Sequence, residues 1–142
     1  TIRRASLDDL NQIYLIEKDV FSNEHWTLEM VESELKNFLG TTTWVIEEST
    51  VILGYCMMRI VCNEANIINM AIKSSRQREG LGAFLLGYVL NQLPINSSAF
   101  LEVKEGNLSA INLYKRLGFN VINLRKNYYK DGRTALIMHL EH

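Results

Sequence analysis

The chain has 142 residues, 47% of them hydrophobic, enough for one domain with its own core and no need of disulfide or metal staples. Fifteen Lys and Arg against sixteen Asp and Glu give a net charge of -1, which excludes a protein that coats nucleic acid by bulk charge. The sum conceals a polarity: residues 1–70 hold five basic and eleven acidic side chains, net -6, whereas residues 71–142 hold ten and five, net +5. Two cysteines are too few for a disulfide framework. On one continuous strand Cys56 and Cys62 would stand about 20 Å apart, too far to bridge, so reduced thiols and a cytoplasmic setting are expected. His25, His139 and His142 show no metal-binding spacing, and no metal is expected. The longest apolar run, Val51 to Met58, is far short of the roughly 18 residues of a membrane span. No basic-then-apolar leader is read at the start, although Thr1 in place of an initiator Met leaves room for residues ahead of it.

No repeat, low-complexity tract or linker interrupts the chain, and residues 1–142 are read as one domain. Ile2 to Arg4 reads as a short strand. Ser6 and Asp9 form an S-x-x-D capping signal for a helix carrying Leu10, Ile13 and Tyr14 and ending near Val20. Thr27 can cap a second helix, with Leu28, Val31, Leu35 and Phe38 at helical spacing before Gly40 stops it. From Thr41 the texture changes. Thr42 to Glu47, Val51 to Ile60 and Ala65 to Ile72 are rich in β-branched and aromatic residues and read as three antiparallel strands. A helix follows from Leu81 to Gln92 with Leu81, Leu85, Tyr88 and Val89 on one side. Ala99 to Lys104 is a strand. Asn107 caps a helix from Leu108 to Leu117, with Ala110, Leu113, Tyr114 and Leu117 on its apolar stripe and Gly118 as its left-handed stop. Phe119 to Arg125 and Thr134 to Leu140 read as strands around a Lys130-Asp131-Gly132-Arg133 turn. The order βααβββαβαββ implies an α/β or α+β mixed sheet with helices on its faces.

The most informative segment is Arg76-Gln77-Arg78-Glu79-Gly80-Leu81-Gly82-Ala83, set between a strand and a helix. Glycines there let successive N–H groups turn to one point, and the helix dipole adds about half a positive charge, which suits a phosphate or pyrophosphate. Leu85 stands where a dinucleotide fingerprint needs glycine, and no Gly-Lys-Ser/Thr follows, so both familiar phosphate motifs fail. A lone G-x-G is equally a tight turn.

Gln77-x-x-Gly80-x-Gly82 after a strand resembles the Q/R-x-x-G-x-G/A signature of the GNAT acetyltransferases. Leu101-Glu102-Val103, Asn107 and Ala110 to Phe119 are similar to that family's second half. Arg125-Lys126-Asn127-Tyr128-Tyr129 with Asp131-Gly132 resembles its RimI-type protein N-terminal acetyltransferases. Residues 66–140 carry the likeness, and the first half shares only the order of elements. One departure lies before the loop, where Ile72-Lys73-Ser74-Ser75-Arg76 lacks the proline and acidic residue of many relatives, so this stretch is expected to be more flexible.

The resemblance implies a mostly antiparallel sheet whose two central parallel strands, Ala65–Ile72 and Ala99–Lys104, splay apart around acetyl-CoA. The backbone of Met70, Ala71 and Ile72 would pair with the pantetheine arm. The amides of Gln77, Arg78, Glu79, Gly80, Leu81, Gly82 and Ala83 would hold the pyrophosphate, with Asn107 and Tyr114 as further contacts. It also implies direct transfer in a ternary complex, Glu102 acting as general base through water and Tyr114 returning a proton to the leaving thiolate. From the residues alone, Glu102 is equally a solvated side chain paired with Lys104, and Tyr114 a core tyrosine. Arg76, Arg78 and Lys73 could meet adenosine phosphates or simply be solvated. Cys56 and Cys62 lack activating neighbours and read as structural thiols, so no acetyl-enzyme is expected.

By the same resemblance the expected acceptor is the α-amine of a protein N-terminus, that of a ribosomal protein beginning with alanine. An α-amine near pKa 8 is easier to deprotonate than a lysine near 10.4. The acidic run Glu24, Glu29, Glu32 and Glu34 could attract a basic acceptor or merely be a wet helix face. Competing readings are a relative acting on other N-termini, lysines or small amines, and a non-catalytic acyl-CoA or peptide-binding module. A nucleic-acid module lacks interleaved aromatic and basic residues. Partners are therefore expected to be acetyl-CoA and a peptide, not nucleic acid or membrane.

Overall fold

The computed structural model describes residues 1–37 and 40–141. Phe38, expected in the second helix, and His142 lie outside the described residues. Seven strands form one sheet: β1 (Ile2–Arg4), β2 (Thr41–Glu48), β3 (Val51–Val61), β4 (Glu64–Ile72), β5 (Ser98–Lys104), β6 (Asn120–Arg125) and β7 (Ala135–Glu141). Four helices, α1 (Leu10–Phe21), α2 (Leu28–Leu35), α3 (Leu81–Asn91) and α4 (Leu108–Arg116), cover its faces. The spatial order is β1-β2-β3-β4-β5-β7-β6, antiparallel except for β4 and β5. The expected βααβββαβαββ order is the observed one.

Local signals account for most boundaries. Ser6 and Asp9 form a reciprocal capping box on the 3-10 turn that leads into α1, Thr27 Oγ1 accepts the Met30 N–H, and Asn107 Oδ1 accepts the Ala110 N–H. Arg3 pins β1 to the rest of the fold, donating to Asp9 at 2.9 Å and to Glu47 at 2.8 Å. Two expectations need correction. The second helix ends at Leu35 rather than at Gly40, because Asn37, a residue that tolerates left-handed backbone, already takes φ 60°. In α3 the buried residues are Leu85, Leu86, Val89 and Leu90, while Tyr88 is outside the core and meets Trp44 edge-on. This helix is apolar nearly all round, so spacing alone could not choose its inner face. In α4 Ala110, Tyr114 and Leu117 of the expected stripe pack half-buried against the core, and Ile111 beside them is buried in it.

The sheet separates two cores. Ile13, Ile16 and Val31 of α1 and α2 pack on Val45, Ile52, Tyr55, Met57 and Ala71. On the opposite face Leu85, Leu86, Val89 and Ile111 of α3 and α4 pack on Leu53, Cys56, Ile67, Ile72, Leu101 and Met138. A bulge in β4 sorts side chains between them. Met57 opposes Asn69 and Met58 opposes Ile67, so Ile68 is the extra residue. An extra residue reverses the side-chain alternation beyond it and bends the strand. Ala65 and Ile67 face the α3–α4 core before the bulge, and Met70 and Ile72 face it after.

The parallel ladder between β4 and β5 runs from Glu64–Ser98 to Ile67–Leu101 and stops at the bulge. Beyond it β4 continues on β3 to Ile72, and β5 continues on β7 to Lys104. The expected splay of Ala65–Ile72 from Ala99–Lys104 is therefore present. Where β4 ends, Gly54 of β3 lies against it so closely that an added Cβ would stand 2.4 Å from Ile72 Cδ1 and 2.8 Å from the Ala71 carbonyl oxygen. A backbone oxygen cannot rotate away. Gly54→Ala is expected to destabilise the fold by about 1–3 kcal/mol, read as a lower urea midpoint at unchanged slope. Cys56 is fully buried and its thiol is pushed up to about 12 by that burial, whereas Cys62 is exposed. Iodoacetamide should label one site on the native protein, lost in Cys62→Ser, and a second only after unfolding.

Candidate active site

The divergence of β4 and β5 opens a cleft of about 1490 Å³ running from the start of α3 to the loop between β6 and β7. At one end, Gly80 takes φ +83° and delivers the chain into α3. The Phe84 N–H bonds the Gly80 carbonyl, and helix geometry leaves the first amides, Leu81, Gly82 and Ala83, without an acceptor inside the helix. Gly82 faces α4, where an added Cβ would come 3.2 Å from Leu113 Cδ2. A glycine cradle, orphan N–H groups and the dipole at one point suit an anionic phosphate.

The approach to this loop is tied down rather than loose. The Lys73 N–H donates to the Leu53 carbonyl at 2.7 Å, the Ser74 N–H to Asp19 at 3.0 Å, and the Gln77 side-chain amide to the Ile72 carbonyl at 3.0 Å. Hydrogen bonds from Ser74 hold the Asp19 carboxyl below its ordinary range. An acid on α1 thus restrains the stretch where a proline was missed.

Of the residues anticipated for the donor, Met70, Ala71, Ile72, Gln77, Arg78, Gly80, Leu81, Gly82, Ala83, Asn107 and Tyr114 line the cleft. The Glu79 side chain does not. It accepts from Arg76 at 3.0 Å, and Arg76 also donates to Glu48 at 3.2 Å, so both charges are turned onto each other. The Gln77 backbone N–H points back to the Ser74 carbonyl at 3.4 Å, which leaves the free amides to begin after it.

Glu102 and Tyr114 line the same cleft where the strands part. Tyr114 stands edge-on to Phe119, and burial, with Cys56 close by, pushes its hydroxyl up to about 12. Such a hydroxyl stays protonated at neutral pH and is available as a donor. Glu102 does not pair with Lys104. It accepts from Arg125 at 3.3 Å, a side chain of β6 that reaches it across the intervening strand β7. Lys104 turns instead to Asp131 at 2.6 Å and Glu24 at 3.2 Å, and stands 5.3 Å over the Tyr129 ring. Its ammonium therefore ties the segment after α1 to the β6–β7 loop. Tyr129 lines the cleft, and burial and the nearby Glu102 raise its hydroxyl pKa. Of the two tyrosines in the loop, Tyr129 is the one inside.

Several lining residues escaped the sequence reading, among them Glu17, Phe21, Trp26, Phe100 and Ile137. Glu17 is the most unusual. It is 1% exposed and accepts from the Trp26 N–H at 2.8 Å, from Asn69 at 2.6 Å and from the Tyr55 hydroxyl. Burial and the Glu17 charge raise the Tyr55 hydroxyl pKa well above its ordinary value. The signal was present: Ile13, Ile16, Glu17 and Val20 recur at i, i+3, i+4, i+7, a carboxylate inside an apolar stripe. The acidic run is less free than its composition implied. Glu24 meets Lys104, Glu34 meets Arg59 at 2.7 Å, and Glu32 lies 3.9 Å from Lys36.

Among the described residues, no His, Cys, Asp and Glu group of three or more is placed to hold a metal. None of their helices is long and apolar enough to cross a membrane.

The profile of the acetyltransferase (GNAT) family matches residues 7–119. The [ribosomal protein bS18]-alanine N-acetyltransferase of Escherichia coli (strain K12) is 31% identical over 145 residues, covering 99% of this chain and 96% of its own. An N-alpha-acetyltransferase of Sulfurisphaera tokodaii is 30% identical over 152 residues, covering 96% of this chain and 90% of its own. The crystal structure of the Escherichia coli ribosomal-protein-S18-alanine N-acetyltransferase superposes with a TM-score of 0.90 at 30% identity, over 99% of this chain and 92% of that one. With a glycine cradle at one end of a cleft between splayed strands and a family match over most of its length, this chain belongs to the GNAT family of acetyltransferases.

Proposed function

We propose that this protein transfers the acetyl group of acetyl-CoA to the α-amine of a protein N-terminus, a ribosomal protein beginning with alanine, by direct attack in a ternary complex. One observation carries the reading: a carboxylate, Glu102, and a desolvated hydroxyl, Tyr114, line one cleft that has a phosphate cradle at its far end. The acceptor rests on what the relatives are named for. A relative named only for α-amine transfer supports, as a second reading, a wider range of N-termini. A ribosomal acceptor and unpaired cysteines fit a cytoplasmic enzyme, and residues 1–142 are proposed to act as one domain.

In this mechanism the orphan amides of Arg78 to Ala83 hold the pyrophosphate of the donor. The backbone of Met70, Ala71 and Ile72, where β4 has left β5, pairs with its amide-bearing arm, and Asn107 adds a polar contact. This stretch stays paired with β3, and its edge toward β5 has no strand beside it, which leaves that edge open to a ligand amide. Glu102 takes the proton of the acceptor ammonium through a water molecule, which frees the nitrogen lone pair to attack the thioester carbonyl. The nitrogen, now bonded to the acyl carbon, gives its second proton to water, the carbon–sulfur bond breaks, and Tyr114 donates its hydroxyl proton to the departing thiolate. Solvent then returns a proton to Tyr114 and takes the one held by Glu102. An α-ammonium near pKa 8 asks less of the carboxylate than a lysine ammonium near 10.4.

Glu102→Gln and Tyr114→Phe are each expected to lower kcat by about 100-fold or more with little change in the KM for acetyl-CoA. Wild-type turnover in both, with folding intact, would remove these roles. Since the acid form of Tyr114 is required and persists below a pKa of about 12, kcat should show no descending limb from this group until above about pH 10. Peptides with free and blocked N-termini, incubated with acetyl-CoA and read by mass, test the acceptor. Acetylation should appear on free N-termini and be strongest on alanine, whereas modification confined to lysines would refute the assignment.

A further inference from the structure

Arg125 already pairs with Glu102, the carboxylate that the proposed function assigns to the acceptor. Its Nη1 donates to Glu102 Oε1 at 3.3 Å, and its guanidinium carbon stands 5.5 Å over the Tyr128 ring. Arg125 and Glu102 both line the cleft, with side chains 54% and 36% exposed. The carboxylate assigned to the acceptor end thus already carries a positive partner. An ammonium approaching Glu102 meets like charge until that partner moves.

The two cations that flank Ala135 are held very differently. Lys104, its partner on β5, has two carboxylates at 2.6 and 3.2 Å and an aromatic ring beneath it. Arg125, its partner on β6, has one carboxylate oxygen at 3.3 Å and the Tyr128 ring at 5.5 Å. An exposed ion pair with a single contact is worth at most about fivefold in an equilibrium constant, so it opens at little cost. Tyr128, already beside the guanidinium, keeps a hold on it when the carboxylate contact opens, since an aromatic face attracts a cation.

We propose that Arg125 is a displaceable counter-ion of Glu102: it holds the carboxylate in the cleft, and the acceptor's α-ammonium displaces it toward Tyr128. The proposal rests on the reading of Glu102 as the base. Arg125 acts through Glu102 and is a positioning residue. It also selects for charge, because a protonated amine can compete with a guanidinium for the carboxylate and a neutral group cannot.

The test is calorimetric titration of a short alanine-initiated peptide into the CoA-bound enzyme. Arg125→Met is expected to tighten the peptide about two- to fivefold. The same peptide with an acetylated N-terminus should bind wild type and variant alike. Lys126→Met, which removes a neighbouring charge while leaving the Arg125–Glu102 pair in place, should leave the affinity unchanged, and Arg125→Met should have no effect in a Glu102→Gln background. Weaker binding by Arg125→Met, equal tightening by Lys126→Met, tightening of the blocked peptide, or an effect that survives Glu102→Gln would each overturn the proposal. Thermal melts of every variant confirm folding. Full turnover by Glu102→Gln would defeat the base assignment separately, while the binding data still decide whether Arg125 and the ammonium compete.

Discussion

The structure depends on one extra residue. Ile68 enters β4 where β3 has no partner for it, and three consequences follow from that bulge. The strand bends away from β5, which ends the parallel ladder at Ile67–Leu101 and opens the cleft. The side-chain alternation reverses, so that Met70 and Ile72 join the α3–α4 core while Ala71 joins the α1–α2 core. Asn69 is brought to the α1 face, where it meets Glu17. Strand ends that would have paired with each other are left with free backbone groups. Such groups are expensive to leave unpaired in a confined space, and an amide-containing ligand satisfies them as another strand would.

Glu17 links that distortion to the acceptor wall. A buried carboxylate is costly unless its lone pairs are satisfied, and this one takes a backbone N–H after α1, a β3 hydroxyl and a β4 side-chain amide. The segment carrying Phe21, Glu24 and Trp26 is thereby referenced to the bent strand. At the mouth, Lys104 joins the same segment to the β6–β7 loop. In the proposed reading the donor end relies on neutral N–H groups at a helix start, whereas the other end is organised by paired charges. Such a division would let a chain of net charge -1 take a strongly anionic donor, since Arg76, just ahead of the glycine loop, is paired with Glu79 and Glu48.

Much of this was legible in the residues. Ser6, Thr27 and Asn107 announced their helices because a side-chain oxygen two to three residues before a periodic apolar stretch has a local job to do. Gly80 and Gly82 marked a turn into α3 because its backbone needs are local too, and Glu102 and Tyr114, singled out because they sit inside contiguous motifs, come to line one cleft. Tyr88 was misplaced because α3 is apolar on nearly every side, so nothing in its periodicity names an inner face. Lys104 was assigned to Glu102 because strand alternation puts both on one side. That rule sees a single strand and does not register Arg125 arriving from two strands away.

What the sequence by itself determined is therefore what local chemistry dictates: element order, caps, the glycine turn into α3 and the family likeness. Tertiary structure decided the rest. It turned Glu79 away from the cradle, gave Lys104 and Glu102 different partners, buried Glu17 and placed Tyr129 rather than Tyr128 in the cleft. Each of those outcomes depends on side chains brought together from separate strands and helices by the sheet order and the β4 bulge. An ion pair across 80 residues, such as Glu24 with Lys104, leaves no periodicity or spacing to read.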